Sequence, residues 1–321
     1  MAVAAALTAN ALVSAPTLPE AHELLARLAA HPEGGRNLFP LDDPLSLATV
    51  VARAHVAAAE HDFGHALRLL AQAQAFAPKT PWADVLWVVA PETAAETDPA
   101  DVATIAVDML DILRSHGTDG LRAAMSPYLR LVRNAINAHP AHANLLRAAG
   151  YFYRRFDLAE AARYAARADK LAPSMASAIS IALIYGDQGR TDEALRAFER
   201  ALTYDPGNLD VYADICELLM NAERLDDALG YARRGLAIDP GHPCCQISAL
   251  AVQFRQTHKA EYFDALVALH EAQPEASHAA SHAARTLEAA VMKTATRTVV
   301  LRGSPRQMLK AARRTLRNWS E

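Results

Sequence analysis

The 321-residue chain is short of cysteine, with three, and of glycine, with thirteen; its aromatics are only 6% although hydrophobic residues reach 52%. Cys216, Cys244 and Cys245 form an odd set with a vicinal pair. No evenly spaced disulfide framework can be drawn from them, so a reducing compartment is expected. Period-2 runs of Val, Ile and Thr are almost absent and alanine carries much of the apolar content, which excludes a strand-rich fold and predicts an all-α chain. No apolar run approaches the ~20 residues that a membrane-crossing helix needs. A Gly-rich phosphate loop, a GxSxG elbow and an HExxH helix are all missing. No catalytic, cofactor-binding or metal-binding residue is therefore assigned. His61/His65 and His278/His282 have i, i+4 spacing, but neither pair has an acidic or Cys ligand at motif spacing, so surface histidines are expected. Cys244 and Cys245, at a junction of segments, read as small buried residues.

Met1 to Pro19 carries no charge, and Val13-Ser14-Ala15 has the small residues of a signal-peptidase site. No Lys or Arg precedes it, and Thr8 and Asn10 interrupt the apolar stretch. The expectation is an N-terminal helical cap over residues 1–46 and a cytoplasmic protein.

What the chain does have is a period. Pro173, Pro206 and Pro240 stand 33 and 34 residues apart, and each follows an alanine (Ala161, Ala194, Ala228) by twelve. Such spacing marks a helical repeat array, each unit a helix pair that cannot bury its apolar face alone. From Met175 to Asn208, Ala178, Ile181, Ala182 and Tyr185 form one helical stripe that ends at Asp187-Gln188-Gly189-Arg190. Thr191-Asp192-Glu193 opens a second helix, with its acids where the helix N-terminus favours them. Ala194, Leu195, Phe198, Ala201 and Leu202 then form the buried face, and Asp205-Pro206-Gly207-Asn208 stops it. The units His142 to Ser174 and Leu209 to His242 repeat this plan. Ala66 to Pro78 keeps the spacing of twelve, with a turn at His61-Asp62-Phe63-Gly64, and Pro274 lies 34 residues after Pro240. In that last unit Tyr262 occupies the alanine column. Helices are also predicted at Pro99 to His116 and Asp119 to Ala138, while Pro81 to Pro99 departs from the repeat and reads as a loop covering an edge.

With Tyr185, Gly189, Ala194, Phe198, Ala201 and Pro206 in register, the segment resembles a tetratricopeptide repeat. The resemblance implies a right-handed α-solenoid of antiparallel helix pairs. The expected organisation is a cap (1–46), one repeat unit (47–79), degenerate helical units with a non-repeat insert (80–141), four units (142–275), and a C-terminal helix with a tail helix (276–321). It also implies a scaffold or adaptor that binds a peptide or helix of a partner protein along a concave wall made by the first helix of each pair. Carried over by column, that wall holds Leu146, Tyr153, Arg154, Ile179, Leu183, Asp187, Met220, Asn221, Phe254 and Arg255. Asp210, Asp214 and Glu217 lie on it where family members that grip chaperone C-terminal carboxylates need positive charge. A chaperone tail is thus not expected, and the acidic lip favours a basic segment. The alternative is an enzyme or small-molecule sensor with a pocket between the insert and the groove.

From Lys293 onward there are eight bases and one acid. Ser304-Pro305-Arg306-Gln307 is a helix start, and Met308, Leu309, Ala312, Leu316 and Trp319 share one face. This basic amphipathic helix is expected to fold back on the array; an anionic membrane or nucleic acid are the other occupants considered.

Overall fold

The structure, a computed structural model, describes residues 47–272 together with the single positions Glu23 and Thr286. The cap, the tail helix, and His278/His282 lie outside the described residues. Fourteen α-helices and no strand occur among the described residues. The chain divides into two compact units at Pro173/Ser174.

In the first unit, α1 (Leu47–Ala59) pairs with α2 (Phe63–Phe76), and α7 (Ala143–Tyr153) with α8 (Leu158–Leu171). Between them come the short helices α3 (Leu86–Val89) and α4 (Pro91–Glu96), then α5 (Pro99–His116) and α6 (Arg122–Ala138). The predicted loop at Pro81 to Pro99 is thus mostly helical. Both short helices pack on α6, and the Asn134 side chain donates to Val89 O at 2.9 Å. Trp82 is sealed inside at 2% exposure, which explains why a segment with no repeat signature still holds a fixed course. The helix α5 has the predicted bounds, opened by Asp98, whose carboxylate accepts from Ala100 N, and by Pro99 at its first position.

In the second unit, α9 (Met175–Asp187) pairs with α10 (Thr191–Tyr204), α11 (Leu209–Asn221) with α12 (Leu225–Ile238), and α13 (Pro243–Thr257) with α14 (Ala260–Glu271). Successive pairs stack: α11 packs on α10 and α13, and α12 on α13. The alanine column explains the closeness. Ala66, Ala161, Ala194 and Ala228 are each fully buried, so a larger side chain there would part its pair. Gly150 serves the same approach, since a Cβ there would stand 3.4 Å from Ala165 Cβ on α8.

Two turn chemistries alternate. Within four of the five pairs, the first helix ends through a residue of positive φ: His61, Gly189, Glu223 and His258; the α7–α8 turn has none. At three of these turns the backbone N–H donates to a carbonyl in the last turn of the first helix, as in Arg190 N to Tyr185 O and Arg224 N to Leu219 O, both 2.9 Å, and in Asp62 N to Ala57 O. Between pairs, the residue before each proline (Ala77, Ala172, Asp205, Asp239) has left the helical region, because a following proline disfavours it, and Asp205 and Asp239 are extended. Asp205 and Asp239 then accept from Gly207 N and Gly241 N, which turns the chain into the next first helix.

Candidate functional site

Each first helix meets its own partner and its neighbours, so only a narrow strip of it remains open. On α11, covered by α10, α12 and α13, that strip is exposed Asp210 and Asn221 with half-buried Asp214, Glu217 and Leu218 between them. The spacing of i, i+4, i+7 places the three carboxylates one above another along about 10 Å of helix. Asp210 lies in the first turn, where the helix dipole favours an acid; Asp214 and Glu217 sit mid-helix, where it does not. The His242 ring nitrogen stands 3.9 Å from Asp210. On α9, Ile179 and Leu183 are half-buried and packed against the core of the unit, and Asp187 is exposed at its end. The apolar and acidic strips meet where Gly186 faces Leu218, a Cβ at Gly186 lying 3.2 Å from Leu218 Cδ1.

The column transfer placed four interior residues on the wall. Leu146, Tyr153, Met220 and Phe254 are 5% exposed or less, because they point between helices and not along the open strip. Tyr153 donates to Leu129 O at 2.7 Å, and burial raises its hydroxyl to about 12, well above the ordinary range. Phe254 packs on Phe263 of its own pair. Arg154 is half-buried. Arg255 has a side chain only 13% exposed and an ion pair with Glu223 at 2.9 Å, so it ties one pair to the next. Asn221 is exposed at the end of α11. Of the remaining predicted residues, Asp187, Asp210 and Asn221 are exposed and Ile179, Leu183, Asp214 and Glu217 are half-buried.

Beside this strip runs a ladder of contacts between successive pairs. Arg224 bridges Asp192 of the preceding pair and its own Asp227, at 2.7 and 2.8 Å, and Gln256 donates to Asp226 at 2.8 Å. Acids at the starts of second helices are thereby consumed in joining repeats. His61 lies in its turn, 3.0 Å from Glu96. Among the described residues, no three of His, Cys, Asp or Glu gather as a metal site.

Two surface features were not singled out in the sequence. One is a column two residues before each proline: Phe76, Leu171, Tyr204 and Ile238 are the exposed large apolar residues of the last helical turn. The other is cationic. On α8, Arg163, Arg167 and Lys170 repeat the i, i+4, i+7 spacing, with Arg163 on Glu160 at 2.5 Å and Arg167 donating to Pro140 O at 3.0 Å. The spacing was legible, but the family resemblance directs attention to first helices, and α8 is a second helix.

Stacked antiparallel helix pairs with alternating turn types define a helical-repeat protein. Residues 187–247 match the sequence model described as tetratricopeptide repeat. Among solved structures the chain is similar to PilW, described as a widely conserved type IV pilus biogenesis factor, at 14% identity and TM-score 0.44, covering 74% of this chain and 98% of that one. It is also similar to TTC0263, a thermophilic repeat protein of Thermus thermophilus (15%, 0.40, covering 65% and 100%). A third is YrrB, titled a protein with an unusual peptide-binding site (18%, 0.38, covering 59% and 92%). No curated protein matches the sequence.

Proposed function

We propose that the chain is a protein-interaction scaffold of the cytoplasm whose second unit binds a basic peptide or helix along the open strip of α9 and α11. The observation that carries this is the strip itself. Three carboxylates at helical spacing adjoin half-buried Ile179, Leu183 and Leu218, a pairing of acid and apolar surface that suits an amphipathic basic segment. The acid-rich composition around it supports the sign: between Ser174 and Ala272, Asp and Glu number fifteen against eight Lys and Arg. No helix among the described residues is long and apolar enough to cross a membrane.

The test is fluorescence anisotropy with a labelled amphipathic peptide bearing Lys or Arg at i, i+4 and i+7. Binding should weaken at least tenfold, about 1.4 kcal/mol, when Asp214 and Glu217 are changed together to Asn and Gln. An acidic peptide of the same apolar pattern should bind neither protein. Equal affinity for both peptides, or no loss in the double variant with helicity intact, would refute the reading.

A further inference from the structure

One helix of each unit carries a charged row of the same pitch, and the two rows are of opposite sign. From Leu121 to Ala172, nine Lys and Arg stand against three Asp and Glu, the reverse of the acid excess between Ser174 and Ala272. Within that region Arg163, Arg167 and Lys170 run along α8 at i, i+4, i+7, and Asp210, Asp214 and Glu217 run along α11 at the same intervals. Both rows therefore span about 10 Å with the same angular drift around their helices. On α6, Arg130 and Arg133 extend the cationic face; Arg133 hydrogen-bonds to Tyr164, which Arg163 also touches. Glu160, at one end of the row, is already engaged by Arg163. Leu171, half exposed at the other end, is an apolar residue beside the charges, as Leu218 is beside the carboxylates.

We propose that this protein associates with itself head to tail, the α8 face of one copy seated on the α11 strip of another. The proposal rests on the reading of that strip as a binding surface and names the partner. A basic tail segment of the same chain is a competitor for the strip. The α8 face has the advantage of being a formed helix with its cations already positioned, so docking costs it little ordering entropy. Because α8 and α11 are different surfaces, the contact is heterologous: every row of copies ends in one α8 face and one α11 strip that can each take a further copy, and association is open-ended unless the ring closes. Exposed ion pairs are individually weak and screened by salt, so the assembly is expected at high protein concentration and low ionic strength and dissolves as salt is raised.

The experiment is sedimentation velocity of the full chain and of two reversal variants. One carries Arg163→Glu, Arg167→Glu and Lys170→Glu; the other carries Asp210→Lys, Asp214→Lys and Glu217→Lys. Wild type should sediment as a concentration-dependent series above the monomer that collapses in high salt. Each variant alone should be monomeric, and an equal mixture should regain association, since each reversed face then meets its complement. A neutral variant (Arg163→Gln, Arg167→Gln, Lys170→Gln) with wild-type circular dichroism should also be monomeric, which separates lost contact from lost fold. A chain cut after Gly303 should associate as the full chain does. Monomeric wild type at low salt, association by either variant alone, or a mixture that stays monomeric would each overturn the proposal. So would loss of assembly on removing the tail, which would make the tail the occupant. If wild type is monomeric yet still binds the basic peptide described above, the self-assembly fails while the peptide-binding strip stands.

Discussion

At the scale of the residue, two glycines of one helix separate close packing from open surface. Both lie inside α12, where replacing glycine by alanine gains about 0.5–1 kcal/mol from reduced backbone freedom in the unfolded chain. At Gly230 nothing lies within 4 Å of the new Cβ, so Gly230→Ala should raise stability by about that amount. At Gly235 the Cβ would stand 2.6 Å from Cys245 Sγ and 3.3 Å from Tyr212 Cβ, both buried. Overpacking of this kind costs about 1–3 kcal/mol, which exceeds the gain, so Gly235→Ala should be destabilising. Urea denaturation of the two variants checks the opposite signs. Equal effects would mean that α12 and α13 have slack to separate.

At the scale of the element, helix starts in this chain are of two kinds. Asp157 caps α8 by accepting from both Ala159 N and Glu160 N at 3.0 Å, whereas Arg190 and Arg224 stand at the same point of α10 and α12 with no side-chain cap. Those two helices draw instead on Asp192, Glu193, Asp226 and Asp227 in their first turns. Asp157→Ala should therefore cost about 1 kcal/mol, and Asp157→Asn much less, as read by thermal unfolding. The sequence made these elements legible because the signals are local: the proline, the alanine twelve residues before it, and the acids after the turn all act within one helix pair. The insert was less legible. The course of α3 and α4 depends on packing against α6, some 40 residues away, and no local period reports a contact at that range.

At the scale of the whole molecule, the alanine and proline columns carry the repeat plan, but the open strip depends on which neighbours cover each first helix. That is why Leu146 and Phe254 are interior, while Asp214 and Glu217 are half-exposed. In a repeat array each element touches only its neighbours, and stability is a sum of local terms. The division at Pro173/Ser174 makes a specific case of this. Gly235→Ala should lower amide-exchange protection across residues 174–272 and leave that of 47–173 unchanged. A uniform loss across both would show that the units unfold as one.

The three cysteines lie on adjoining first helices, Cys216 on α11 and Cys244 and Cys245 on α13, all buried and all thiols. Burial raises the Cys216 and Cys245 thiols above their ordinary range, the latter to about 11, and thiolate is the reactive form. Cys216 lies against Ala228 O of α12 and Cys245 against Gly235 of α12 and Leu209 O, so an alkylating reagent at neutral pH reaches them when α11, α12 and α13 part. The chain thus carries an internal clock: the rate at which label enters these sites counts how often the strip-bearing helix leaves its neighbour, and a bound ligand would slow it.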